Sequence, residues 1–131
     1  MHPASNKVSL KVVSYLKSFW PAIVCTIAIF ALSVLPGVQL PAISHSPDKI
    51  GHFLAYGLLA WLYLWALQKE CKWSPKSVLI ILVGVSGYGI SLEFVQWAFF
   101  PYRYFEVLDM VANVCGAVIS YLAFRLFIYK T

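Results

Sequence analysis

The sequence predicts an all-α polytopic membrane protein with four transmembrane helices and both termini in the cytoplasm. Of its 131 residues, 61% are hydrophobic and 11% are charged, whereas a soluble domain carries roughly 25% charged residues. The apolar residues fall into four runs, each long enough to cross a bilayer as a helix. Eight of the ten Lys and Arg residues lie in the N-terminal segment, the second loop and the C-terminal end. The positive-inside rule places these three segments in the cytoplasm.

The first two predicted spans are joined by a proline-rich loop. Residues 1–17 form a basic segment predicted to be cytoplasmic, and residues 18–131 form the transmembrane domain. The first span covers residues 20–35; it is long for a signal peptide and lacks a clear Ala-x-Ala site, so we expect it to be retained. Ser46-Pro47 is typical of a helix start, with Ser as the cap and Pro at the first helical position. The second span runs from about residue 51 to residue 67.

The third and fourth predicted spans follow another Ser-Pro pair and carry stripes of small residues. Ser74-Pro75 precedes the third span, residues 77–100, and Pro101 stops it. The fourth span covers residues 107–128. Small residues let helices approach closely in a membrane. We expect this at Gly84, Gly87 and Gly89 of the third span, and at Ala112, Gly116 and Ser120 of the fourth.

Polar residues gather at one end of this topology, the end predicted to face outward. Asp48, His52 and Tyr56 are four residues apart and therefore share one helix face. Exposing a residue such as Glu93 to lipid costs several kcal/mol, on the order of the values for charges in a bilayer. We therefore expect these faces to turn inward around a polar pocket. The predicted ligand-binding residues are Asp48, Lys49, His52, Tyr56, Glu93, Gln96, Arg103, Asp109 and Asn113.

The formal charge of this group leaves several states open. Four acidic residues (Asp48, Glu93, Glu106, Asp109) against two basic ones (Lys49, Arg103) leave −2. An acid is protonated, His52 is charged, or a cation binds. Ligand spacing such as His-x-x-x-His is absent and the three cysteines show no paired spacing, so neither a metal site nor a cofactor is predicted.

Structural roles compete with binding for the same residues. Glu93 and Gln96 could form a hydrogen-bonded pair that locks the third span to the fourth. Asp109 and Asn113 could serve as a helix-start cap and an interhelical bond. The convergence of all these residues at one depth is what favours a functional site over separate structural roles.

In their order along the chain, these residues resemble the VanZ-like family of small bacterial membrane proteins. The resemblance covers about residue 20 to the end of the fourth span, and the first 17 residues lie outside it. Ser120 stands where the family often has Gly, which keeps the position small. The matching pattern is Ser33-x-x-Pro36, Asp48-Lys49-x-x-His52-x-x-x-Tyr56, Glu93-x-x-Gln96 and Arg103-x-x-Glu106-x-x-Asp109-x-x-x-Asn113-x-x-Gly116.

The resemblance implies a multi-pass protein of the bacterial cytoplasmic membrane. The family takes its name from a protein that lowers susceptibility to teicoplanin, a lipoglycopeptide that acts at the outer face of that membrane. The expected partner is accordingly a lipid head group, a lipid-linked envelope precursor or a lipoglycopeptide antibiotic, and no nucleic acid, because the net charge of +5 comes from loop residues.

The same residues also suit two activities other than binding, an enzyme and a proton or ion path. A membrane-embedded acid–base enzyme would use Glu93, His52 and Asp109 as catalytic groups, with Lys49 and Arg103 holding a phosphorylated lipid. A proton or ion path is the weakest of the three, because the Lys-rich inner half has no matching acidic residues to complete it.

Cysteine labelling tests the predicted orientation. In a chain whose three native cysteines are replaced by Ser, a membrane-impermeant maleimide should label Ser44→Cys from outside the cell. Cys71 restored alone lies in the Lys-rich second loop and should stay unlabelled in intact cells. Labelling of Cys71 from outside would reverse the topology.

Overall fold

The computed structural model describes residues 3–35, 46–100 and 106–129, with the backbone alone at residues 46–48. Within these ranges the chain forms four helices and no strand, which confirms the predicted all-α class. The helices are α1 (Pro3–Val34), α2 (Ser46–Lys69), α3 (Pro75–Phe99) and α4 (Val107–Phe127).

All four helices are long and apolar enough to cross a membrane. The most apolar 18 residues of each helix include at most two charged side chains. Only 11% of these residues are buried inside the protein in α1, and 33% in α2 and α4. Most of the apolar surface therefore faces outward, as lipid-exposed helices require. These features indicate a multi-pass membrane protein.

The first helix is longer than the predicted first span. It begins at Pro3 rather than near residue 20 and so includes most of the basic N-terminal segment. The Ser14 hydroxyl donates to the Glu70 carboxylate over 3.0 Å, and Ser18 donates to the same carboxylate. Because Glu70 directly follows α2, residues 3–13 extend beyond the end of that helix. At 1.5 Å per residue the extension measures roughly 16 Å.

The turn between α2 and α3 follows local capping rules. Cys71 has a φ of 54°, the N–H of Lys72 donates to the Leu67 carbonyl and the N–H of Cys71 to the Gln68 carbonyl, all typical of a Schellman motif. The Ser74 hydroxyl then accepts a hydrogen bond from the Ser77 N–H over 3.1 Å, and Pro75 begins α3. The Ser-Pro start predicted here is confirmed. At α2 the helix begins at Ser46, whose side chain lies outside the described residues.

The closest helix contact lies between α2 and α4, at two glycines. A Cβ added at Gly116 would overlap the carbonyl oxygen of Phe53, and one added at Gly57 would lie 3.3 Å from the Gly116 carbonyl oxygen. The predicted small-residue seam on α4 is therefore correct at Gly116. On α3, Cβ atoms added at Gly84 and Gly87 would meet nothing within 4 Å in the described part of the chain, so close approach there was wrongly predicted.

Two buried clusters fill the middle of the bundle and its end near Glu70. The first contains Tyr56, Leu59, Ala60, Val85 and Ala117. In the second, Leu64 and Phe124 are completely buried, and the Trp73 ring stacks on Phe124 with ring centroids 5.5 Å apart. The polar residues His52, Glu93, Asp109 and Asn113 lie beyond the first cluster, at the end where α2 and α4 begin and α1 and α3 finish. We call this the site end.

Replacing Gly116 by Ala should destabilise the bundle, because the new methyl group meets backbone rather than a movable side chain. Overpacking of this kind costs roughly 1–3 kcal/mol. Gly84→Ala is the matched control, since it adds the same methyl group on a helix facing open space. Thermal unfolding in one detergent should show a lower Tm for Gly116→Ala and not for Gly84→Ala. Equal melting temperatures for the two variants would contradict the α2–α4 contact.

Candidate functional site

Three helices bring one imidazole and two carboxylates together at the site end. His52 Nε2 lies 3.6 Å from Glu93 Oε1 and 3.8 Å from Asp109 Oδ2. Glu93 and Asp109 are each only 5% exposed. His52 lies in the second turn of α2, Asp109 in the first turn of α4, and Glu93 six residues before the end of α3. Because successive helices run in opposite directions, these three positions meet at one depth.

Asn113 sets the orientation of the His52 ring. Its Oδ1 lies 3.0 Å from His52 Nδ1, and its side chain is completely buried. An amide oxygen only accepts hydrogen bonds, so Nδ1 carries the proton in this arrangement. His52 Nε2 then faces the two carboxylates. Asn113 follows Asp109 by one helical turn, which is why both reach α2 from the same face of α4.

Tyr56 and Gly89 form the inner wall of the site. The Tyr56 ring lies parallel to His52, with a 3° interplanar angle and centroids 6.3 Å apart. A Cβ added at Gly89 would lie 2.7 Å from Asn113 Nδ2 and 2.9 Å from Tyr56 Cε1. Gly89 therefore leaves the space that both side chains occupy. Sequence reasoning did not include Gly89 among the site residues, although its position one turn before Glu93 puts it on the same helix face.

Lys49 links the beginning of α2 to the beginning of α4. Its Nζ lies 3.2 Å from Glu106 Oε2 and 4.0 Å from Asp109 Oδ1. Glu106 is the residue immediately before α4 and its side chain makes no cap hydrogen bond. Glu106 was not among the predicted ligand-binding residues. Its place three residues before Asp109 is the feature that could have identified it.

Gln96 connects two helices rather than joining the imidazole–carboxylate group. It is 6% exposed, and its Nε2 donates to the Ser33 carbonyl over 3.1 Å, which ties α3 to α1. This hydrogen bond joins α3 to α1, whereas the structural alternative raised from the sequence was a Glu93–Gln96 pair that locks α3 to α4. The Asp48 side chain and Arg103 lie outside the described residues.

The arrangement offers a specific set of chemical groups in apolar surroundings. The carboxylates accept hydrogen bonds or hold a cation, Lys49 supplies a positive charge, and His52 pairs with the carboxylates as an ion only when it is protonated. Buried charges of this kind in a membrane protein are costly and mark functional positions more often than structural ones.

Comparison with known proteins places these features in a family. A family model described as VanZ/LLP1 matches residues 11–128. A fission yeast protein, "Uncharacterized protein C11E3.10" of Schizosaccharomyces pombe, is 35% identical over 75 residues, which cover 57% of this chain and 44% of the yeast protein. The chain thus matches less than half the length of that relative. No solved structure matches.

A double-mutant cycle should detect the Lys49–Glu106 pair. We expect Lys49→Met and Glu106→Gln each to lower the Tm. The Tm of the double variant should fall by less than the sum of the two single decreases, because either change alone already breaks the pair. The coupling for a partly exposed pair is about 0.2–1 kcal/mol. Lys76→Met, an exposed lysine at the start of α3, combined with Glu106→Gln serves as the control and should be additive. Additivity in both cycles would show that the Lys49–Glu106 contact contributes nothing.

Proposed function

The chain belongs to the VanZ/LLP1 family, and from this premise we propose that it binds the head group of a phosphorylated membrane lipid at the site end. The observation that carries the proposal is the burial of Glu93, Asp109 and Asn113 beside His52 within a bundle whose outer surface is apolar. Helix association alone does not require two carboxylates at one depth, and each is costly to bury.

The position of the site fits a lipid head group. All four contributing residues lie within a few turns of a helix end, and head groups occupy the interfacial layer at the ends of transmembrane helices. Two helices, α2 and α4, begin at this end. Their N-termini carry partial positive charge, which favours a phosphate nearby.

Different side chains would contact two different parts of the head group. Glu93 and Asp109 accept hydrogen bonds from hydroxyl or ammonium groups. Lys49 and the sequence-predicted Arg103 would contact the phosphate, and the Arg guanidinium pairs two phosphate oxygens at once. The proposed ligand therefore carries both a phosphate and a hydrogen-bond donor, as phosphatidylethanolamine and phosphatidylglycerol do.

Similarity to a fission yeast protein favours a general lipid over a ligand restricted to bacteria. A lipid-linked envelope precursor or a lipoglycopeptide such as teicoplanin remains the narrower form of the proposal for a bacterial member. In that case the site end faces outward, as the positive-inside rule predicts.

A second candidate is an enzyme that hydrolyses a phosphorylated lipid, and the contact of His52 with two carboxylates favours it. In such a reaction His52 takes a proton from water, the water oxygen bonds to phosphorus, and the ester P–O bond breaks. The proton then passes to the departing alcohol oxygen. Asn113 holds the imidazole in place, and Glu93 and Asp109 stabilise its charged form.

Lipid binding to the purified protein distinguishes these functions. Native mass spectrometry should show phosphatidylethanolamine and phosphatidylglycerol retained more strongly than phosphatidylcholine, which carries phosphate but no N–H or O–H donor. Glu93→Gln should weaken this preference, and Arg103→Lys should weaken retention of all three. Release of the head group during incubation would identify the enzyme instead. Equal retention of the three lipids by wild type and variants would overturn the proposal.

Teicoplanin susceptibility in a sensitised Gram-positive host tests the narrower form. Glu93→Gln and Arg103→Lys should each abolish any protection while membrane abundance stays normal. If these residues only hold the helices together, the same substitutions should instead lower membrane abundance and Tm in proportion to the lost protection. Full protection by both variants at normal abundance would place the activity elsewhere in the chain.

A further inference from the structure

From the same end of the bundle we infer that His52, Glu93 and Asp109 bind a divalent transition-metal cation such as Zn²⁺. The inference goes beyond the proposed head-group function and does not depend on it. One ligand atom from each residue lies within 4.8 Å of the other two, and the three residues come from three different helices.

The distances suit ligands that share an ion better than groups that bond to each other. His52 Nε2 is 3.6 Å from the Glu93 oxygen and 3.8 Å from the Asp109 oxygen, longer than the roughly 2.7–3.2 Å of a hydrogen bond. Ligands about 2.0–2.2 Å from a tetrahedral Zn²⁺ lie about 3.4 Å from one another. The two distances from His52 Nε2 need to shorten by only a few tenths of an ångström to suit ligands of one ion, and the two carboxylate oxygens already lie within 4.8 Å of each other.

The contact with Asn113 prepares His52 as a ligand. Metal-binding histidines usually donate their second ring N–H to a carboxylate or carbonyl oxygen, which fixes the tautomer and aims the other nitrogen. His52 has this arrangement: Nδ1 lies 3.0 Å from Asn113 Oδ1. The Nε2 lone pair is then directed at two carboxylates. A neutral imidazole lone pair and the carboxylates repel each other, and a bound cation, like a proton, relieves this repulsion.

The charge of the site also matches a divalent cation. The described side chains here include three carboxylates, Glu93, Glu106 and Asp109, and one lysine, Lys49. With neutral His52 they carry a formal charge of −2, which one divalent cation balances.

The donor types narrow the choice of metal. Imidazole suits Zn²⁺ and neighbouring transition metals, whereas all-oxygen sites select Mg²⁺ and Ca²⁺. Three protein ligands leave one position open for water or for an oxygen of a phosphate.

Metal binding to the full-length protein tests the inference. The protein is purified in detergent with a histidine-free tag, stripped with a chelator and titrated with Zn²⁺ alone, without added lipid. We expect one Zn²⁺ per chain. Glu93→Gln and Asp109→Asn should each weaken binding at least about tenfold, and Asn113→Leu about 10- to 100-fold. Glu70→Gln, an acid at the opposite end that bonds Ser14 and Ser18, is the control and should bind like wild type.

X-ray absorption of the Zn²⁺-loaded wild type keeps the inference testable if a variant does not fold. The spectrum should show one imidazole nitrogen with oxygen ligands. Sulfur ligands, such as the exposed Cys71 would supply, would overturn the site. So would the absence of stoichiometric binding, or unchanged affinity in both folded carboxylate variants. Because no lipid is present, failure here leaves the head-group proposal standing, and failure of lipid binding leaves this one standing.

Discussion

The contact between the backbones of α2 and α4 is the constraint on which the rest of the structure depends. At Gly116 there is no room for a Cβ beside the Phe53 carbonyl, so the two helices touch at this level. His52 precedes Phe53 directly, and Asn113 lies one turn before Gly116. The close approach therefore sets the short distance between the imidazole and the amide, 3.0 Å. The geometry of the site is in this sense a product of helix packing.

A second consequence concerns α3, whose side chains must fit against this pair. Gly89 leaves the volume that Asn113 and Tyr56 occupy, and Glu93 follows one turn later to meet His52. The absence of a side chain at Gly89 thus lets α3 come close enough for Glu93, one turn later, to approach His52. The apolar cluster around Tyr56 and Val85 lies directly beneath and closes the site toward the middle of the bundle.

Polar contacts at several depths help to attach the first helix to the bundle. Ser14 and Ser18 donate to Glu70, Tyr88 donates to the Thr26 carbonyl over 2.8 Å, and Gln96 donates to the Ser33 carbonyl. Helices in lipid gain little from the hydrophobic effect when they associate, so such bonds and close packing hold them. The remaining surface of α1 is largely exposed and apolar, as expected for a helix at the edge of a membrane bundle.

The sequence by itself determined the four helices, their approximate ends apart from the start of α1, and the gathering of polar residues at one end. These features depend on local properties: hydropathy along the chain, Ser-Pro helix starts, and four-residue spacing. Only the tertiary structure decided that Gln96 bonds α1, that Gly89 and Gly116 are tightly packed while Gly84 and Gly87 are open, and that Lys49 pairs with Glu106. The partner of each side chain depends on how far each helix is rotated about its axis. That rotation is set by all interhelical contacts together, and no local pattern in the sequence encodes it.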